Sequence, residues 1–234
     1  CQLSNASAHR RMPTKHVVPS PAGDLVVHEW HSDAPMFTIL TVHPWAALGG
    51  GEHNCVGLAR ELARASFRVL TFQMLPGSAI WGLLSAHRRE VTQVVAVGQW
   101  ARQRFGLPLV LLGSSAGAPI AGSALEQLGD VAAFVAIGYT WGSFAALGFG
   151  RHFAPTRKSP IPKLFIMGEH DEFSSPQTLQ RAVEKMNGPI NDKIVVQSVG
   201  HFELEQSNWD EYVSNATLGW LQKRLVVDTA PATV

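Results

Sequence analysis

The sequence of 234 residues has very little cysteine and no long hydrophobic run. Its two cysteines are Cys1 and Cys55, and because one begins the chain we expect no structural disulfide. No stretch reaches the roughly 18 apolar residues of a membrane-spanning helix, so we expect none. The formal net charge is only +1, and no excess of one sign points to nucleic acid or an acidic membrane as a partner.

Hydrophobic residues make up 46% of the chain and charged residues 16%, which is typical of a compact folded domain. The length suits one domain, which we place at residues 21–227, with a flexible arm at 1–20 and a flexible tail at 228–234. The low cysteine count favours a cytoplasmic location. The basic, acid-free start leaves an organellar location open, if it is the remnant of a transit peptide.

Strand-like runs rich in Val, Ile, Thr and Phe alternate with helical stretches. Strands are predicted at 24–30, 37–43, 67–72, 108–113, 131–138, 162–168 and 193–199. Helices are predicted at 55–65, 90–105, 116–128, 176–188 and about 209–225. The segment 139–161, which contains glycine and proline, is predicted to be irregular. The alternation predicts an α/β fold, a mostly parallel, doubly wound sheet with helices on both faces, and ligands at the C-terminal ends of its strands.

The stretch LVLLGSSAGAPIAG, residues 109–122, leads from a buried strand through G-x-S-x-G into a helix. It admits three interpretations: a serine nucleophile on a sharp turn, a glycine-rich phosphate cradle, or a packing joint of small residues. A dinucleotide cradle is disfavoured because G-x-G-x-x-G is missing and the motif follows three other strands. Glycines at 113 and 117 would relieve clashes around such a turn, and their spacing selects Ser115 over Ser114.

A serine nucleophile requires a base and an orienting carboxylate, in the chain order serine, acid, histidine. Asp171 and His201 each follow a predicted strand, in that order, and should reach the same sheet edge as Ser115. Glu169 and Glu172 flank Asp171 and are alternative acids. We therefore predict a catalytic triad of Ser115, Asp171 and His201.

An oxyanion hole requires two N–H donors. One is expected at Ala116, directly after the serine. The other is expected in the loop VHPWAALGGGEHN after the strand 37–43, where Pro44 has no N–H and Trp45 is the best candidate.

Four segments together resemble the α/β-hydrolase superfamily, over about residues 24–225. They are HPWAALGGG for the oxyanion loop, GSSAGAP for the nucleophile turn, GEHDEFSSP for the acid turn and GHF for the histidine loop. The chain looks most similar to small, lid-poor, dienelactone-hydrolase-like members, and the resemblance implies an α/β-hydrolase fold without a large lid. The loop after the strand 67–72 departs from the pattern, because it reads TFQMLPGSAIWGL where many relatives carry Asp-x-Arg-Gly-x-Gly-x-Ser.

These residues predict a carboxylesterase-like serine hydrolase that cleaves an ester or thioester through an acyl-enzyme, with a small-molecule ester as partner and no cofactor or metal. Trp81, Trp141 and Phe202 are predicted to line the substrate cleft, although each could equally be a core residue. Two alternatives stay open: a non-catalytic module of the same fold that binds a small molecule or protein, and an acyltransferase with the same triad. The sequence leaves the oligomeric state open.

Overall fold

The computed structural model describes residues 12–46, 49–75 and 88–226, without the side chains of 143–146 and 226. Within these residues, eight strands form one sheet in the order β1-β2-β4-β3-β5-β6-β7-β8. The strands are β1 (Thr14–Val18), β2 (Leu25–Trp30), β3 (Thr38–Val42), β4 (Arg68–Phe72), β5 (Leu109–Ser114), β6 (Ala133–Ile137), β7 (Lys163–His170) and β8 (Asn191–Gly200).

The sheet is antiparallel at one edge and parallel elsewhere. Strand β2 pairs antiparallel with β1 and β4, whereas β4, β3, β5, β6, β7 and β8 pair in parallel. The register places Val42 opposite Gly113, and Ser114 opposite Ile137. The C-terminal ends of β3, β5 and β6 therefore meet at one edge of the sheet, as the sequence pattern predicted.

Helices cover both faces of this sheet. They are α1 (His53–Arg64), α2 (Arg88–Phe105), α3 (Gly117–Leu128), α4 (Ser143–Lys158), α5 (Pro176–Val183), α6 (His201–Leu204) and α7 (Asp210–Leu221). A 3-10 turn at Ser207–Trp209 precedes α7, and a π turn at Gln222–Val226 follows it. None of the helices in these ranges is long and apolar enough to cross a bilayer.

Two hydrophobic cores lie on opposite faces of the sheet, because side chains alternate along each strand. Leu109 and Leu111 of β5 pack on the face that carries α2, α3, α4 and α5. Val110 and Leu112 point the other way, toward α1 and α7. Strand β5 is thus buried on both sides, which explains why its sequence is continuously apolar.

The expectation that 139–161 is irregular was wrong, since α4 runs from Ser143 to Lys158 with Pro155 inside it. Glycine and proline lower helix propensity, but tertiary packing outweighs this cost. Phe149 and Phe153 are buried against the core. In α3, a β-carbon on Gly122 would lie 2.0 Å from Oγ1 of Thr156, so the two helices approach closely there.

Part of the predicted flexible arm is a strand, and this also corrects the sequence prediction. Strand β1 pairs with β2 along its whole length, and Nε2 of His16 lies 2.8 Å from Oε2 of Glu29. The imidazole of His16 also contacts the ring of Trp100, with 5.1 Å between centroids. The rest of the arm at 1–11 and the predicted tail at 228–234 lie outside the described residues.

Candidate active site

Ser115 lies on the turn between β5 and α3 in a left-handed conformation, with φ of +52°. A non-glycine residue adopts this conformation only where its surroundings enforce it. Here the backbone N–H of Ser115 donates to the carbonyl of Ile137 on β6, at 2.8 Å. The turn places Ser115 directly after the C-terminal end of β5.

The glycines on either side of this turn are required by close backbone approaches. A β-carbon on Gly113 would lie 2.4 Å from Cα of Ala118, and one on Gly117 would lie 2.3 Å from the carbonyl oxygen of Val42. Real β-carbons do not come so close to a backbone. The predicted role of these two glycines therefore agrees with the structure.

The structure brings Ser115, His201 and Asp171 together in one hydrogen-bond chain. Oγ of Ser115 lies 2.7 Å from Nε2 of His201. Nδ1 of the same imidazole lies 2.6 Å from Oδ2 of Asp171. Because a carboxylate only accepts, Nδ1 carries the proton and Nε2 is left to accept the serine hydroxyl proton.

Asp171 is oriented by its own backbone turn. Its Oδ1 accepts the N–H groups of Phe173 and Ser174, both at 2.9 Å, which leaves Oδ2 for the imidazole. Neither flanking carboxylate, Glu169 or Glu172, is hydrogen-bonded to the imidazole ring. Glu169 accepts the N–H of Ser198, and Glu172 accepts the backbone N–H of His201.

Burial alone would lower the pKa of His201, but the hydrogen bond and charge of Asp171 outweigh it and raise that pKa above its ordinary value. The imidazole lies in tight surroundings. Gly138, at the end of β6, has φ of +58°, and a β-carbon there would be 2.9 Å from Cε1 of the ring. The ring thus packs directly on backbone.

The loop after β3 is fixed by His43, which is buried. The Met74 N–H donates to Nε2 of His43 at 2.9 Å, so Nδ1 carries the proton and donates to the carbonyl of Pro44 at 2.6 Å. Burial lowers the pKa of His43, which favours this neutral form. Gln73 adds a second tie, because its Oε1 accepts the N–H of Glu52 at 2.9 Å.

A pocket of about 420 Å³ opens at the C-terminal edge of the sheet, in the size range of small-ligand sites. Ser115 and both predicted oxyanion donors, Ala116 and Trp45, line it. Most of the other described lining residues are apolar or small. The full set of these other lining residues is Pro44, Gly49, Gly50, Asn54, Thr140, Leu147, Gly148, Phe149, Phe173, Phe202, Glu205 and Gln206.

The three predicted substrate contacts fall in different places. Phe202 lines the pocket and its side chain is 54% exposed. Trp141 is not among the described lining residues, because it is buried and its ring stacks on Tyr139 with centroids 4.0 Å apart. Trp81 lies outside the described residues. Among those residues, no cluster of His, Cys, Asp and Glu side chains could hold a metal ion.

No protein-family model and no curated protein matches the sequence. Solved structures do match, among them a lid-less α/β serine hydrolase from Xanthomonas campestris with 21% identity and a TM-score of 0.70, over 95% of this chain and 97% of that one. A dienelactone hydrolase from Anabaena variabilis is 17% identical with a TM-score of 0.69, over 91% and 99% of the two chains. The chain has the α/β-hydrolase fold.

An esterase domain from Rhodothermus marinus shares this α/β-hydrolase fold at 12% identity, with a TM-score of 0.70 over 91% of this chain and 99% of that one. At such identities the similarity establishes the fold, which confirms the sequence prediction. Between β6 and β7, the described chain contains α4 alone and no inserted lid domain.

Two residues, one near the candidate triad and one that holds the loop after β3, were not singled out from the sequence. Glu205 follows α6, and its Oε1 lies 3.7 Å from Nε2 of His201 and 3.4 Å from Oγ of Ser114. Gln73 lies in the loop that departs from the superfamily pattern. A signal for Glu205 existed, because a residue four positions after His201 on a helix lies on the same face.

Proposed function

We propose that this protein is a serine hydrolase that cleaves a small ester or thioester through an acyl-enzyme. The supporting observation is the hydrogen-bond chain from Oγ of Ser115 through the imidazole of His201 to the carboxylate of Asp171. Ser115, at the end of this chain of hydrogen bonds, lines an apolar pocket of the α/β-hydrolase fold. A serine alone is a weak nucleophile, and this arrangement supplies the base that it needs.

In the proposed first half-reaction, Nε2 of His201 takes the hydroxyl proton while Oγ of Ser115 forms a bond to the substrate carbonyl carbon. The carbonyl oxygen becomes an oxyanion. Its collapse breaks the bond to the leaving oxygen or sulfur, which receives the proton from His201. A water then repeats the sequence, releasing the acid and restoring Ser115.

Asp171 acts on the imidazole in this scheme. It holds Nδ1 protonated, so Nε2 faces the serine, and it stabilises the imidazolium formed during the reaction. The backbone N–H groups of Ala116 and Trp45 are our proposed oxyanion donors. Their support is that both residues line the same pocket as Ser115, and that His43 fixes the loop that carries Trp45.

The test is covalent labelling with a fluorophosphonate, with the adduct located by mass spectrometry. We expect one adduct, at Ser115, which is lost in Ser115→Ala and strongly slowed in His201→Ala. Ser114→Ala is the matched control, because this adjacent serine lies on β5 and its hydroxyl group bonds to Glu205 rather than to the imidazole. The Ser114→Ala variant should still be labelled. An unlabelled, folded wild-type protein would refute the proposal and favour a non-catalytic binding module.

A further inference from the structure

Glu205 is the one charged side chain among the described residues that line the pocket. Its Oε1 lies 3.7 Å from Nε2 of His201, the atom that hands the proton to the leaving group in the proposed mechanism. A leaving oxygen within hydrogen-bond reach of Nε2, about 3 Å, would lie within about 7 Å of this carboxylate. A positive charge carried by the leaving group would therefore lie close to Glu205.

The carboxylate of Glu205 has no Lys or Arg within ion-pairing distance in the described part of the chain, and its side chain is 12% exposed. His201 is neutral while it accepts the proton of Ser115, so it offers no positive charge in the resting site. Burial raises the pKa of Glu205, and this effect outweighs the opposing effects of His201 and of the hydroxyl groups of Ser115 and Ser114. A buried carboxylate in this position is stabilised by any cation that enters the pocket.

Aromatic rings line the same pocket as this carboxylate. Phe173 and Phe202 both line the pocket, and their rings meet edge to face with centroids 5.6 Å apart. Aromatic faces attract organic cations, most strongly where water is displaced. A single carboxylate in an apolar pocket that aromatic rings also line provides a chemical environment suited to an alkylammonium group.

We propose that Glu205 selects substrates whose leaving group carries a positive charge, namely esters or thioesters of an amino alcohol, an amino thiol or a quaternary ammonium alcohol. The charge belongs two or three bonds from the leaving oxygen or sulfur, since a longer spacer would carry it past the carboxylate. This inference rests on the proposed hydrolase function and names the substrate class of that same site.

The test uses two butyrate esters of equal shape, those of choline and of 3,3-dimethylbutanol, which differ in the charge of the leaving group. In the wild-type enzyme we expect kcat/KM for the choline ester to exceed that for the neutral ester by about tenfold or more. In Glu205→Gln the ratio should fall to near one. Glu203→Gln is the matched control, an exposed carboxylate on α6 that does not line the pocket, and it should keep the wild-type ratio.

A second measurement does not depend on Glu205→Gln folding. Tetramethylammonium should inhibit hydrolysis of a neutral aryl ester competitively in the wild-type enzyme, and tert-butanol should inhibit much less. Equal rates on both butyrate esters, a ratio that survives Glu205→Gln, or equal inhibition by the two compounds would each overturn the inference. Fluorophosphonate labelling separates the failures: a labelled enzyme without charge preference refutes this inference alone, whereas an unlabelled one refutes the hydrolase proposal with it.

Discussion

The two sides of the candidate site are built in different ways. On the side of β5 to β8, backbone holds the groups in place: Ser115 bonds to the carbonyl of Ile137, and Gly117 lies against the carbonyl of Val42. On the side of β3 and β4, side chains hold the loop: His43 ties Pro44 to Met74, and Gln73 ties the start of α1.

This difference predicts different tolerances. The backbone-built side has no room for an added atom, so one methyl group should disturb it severely. The side of β3 and β4 depends on side-chain hydrogen bonds that each contribute about 1 kcal/mol. Removing one of them should therefore reduce activity only moderately. The following variants probe the contrast, beginning with the largest expected effect.

Asp171→Asn should reduce kcat by about 10⁴-fold, because an amide in place of the carboxylate no longer selects the imidazole tautomer with its proton on Nδ1. Stopped-flow or steady-state assays on an aryl ester measure this loss. Glu169→Gln is the control, since Glu169 binds the backbone of Ser198 rather than the imidazole, and it should stay within about twofold of wild type. A mild effect of Asp171→Asn would contradict the assignment of the acid.

Gly117→Ala should reduce kcat/KM by about 100-fold and lower the melting temperature. Its β-carbon would lie 2.3 Å from the carbonyl oxygen of Val42, so β3 and the serine turn must move apart. Displacements of about 1 Å in an active site cost this much. In Gly219→Ala, where a β-carbon meets no atom within 4 Å, both activity and melting temperature should hold. Wild-type activity in Gly117→Ala would argue against the inference that close backbone packing holds the serine turn in place.

Gln73→Ala should lower kcat on the order of tenfold, through loss of the ties that this side chain makes to Glu52 and His43. KM for a small aryl ester should change less than kcat, because the oxyanion forms after binding. Gln177→Ala, at an exposed position of α5, serves as the control and should leave both constants unchanged. An unchanged kcat in Gln73→Ala would show that the loop is held without it.

The pH dependence of kcat/KM is expected to show an acid limb above the ordinary histidine range, since Asp171 raises the pKa of His201. The base must be neutral, so activity falls as pH drops through that raised pKa. In Glu172→Gln, which removes a nearby negative charge, the limb should move down by at most about half a unit. An acid limb that moves to higher pH in Glu172→Gln would contradict the inference that Glu172 raises the pKa of His201.

The contrast between the two sides of the site also explains which of its features could be predicted from the sequence. The serine turn could be recognised because glycines at fixed spacing reflect a local backbone need, and Asp171 and His201 because strand ends converge in a parallel sheet. Gln73 could not be assigned, since its partners come from distant parts of the chain. Trp141 was predicted to line the cleft, but type alone does not distinguish a wall residue from a core residue. Strand β1 was missed because its pairing with β2 depends on long-range contacts.

The wide separation of Ser115 and His201 along the chain has a consequence in time. During synthesis the serine turn is made 86 residues before the imidazole that would activate it. At about 5–20 residues per second, this leaves an interval on the order of ten seconds. Under the proposed mechanism, Ser115 would lack its base until β7 and β8 have been added, and the appearance of activity would mark the closing of the sheet.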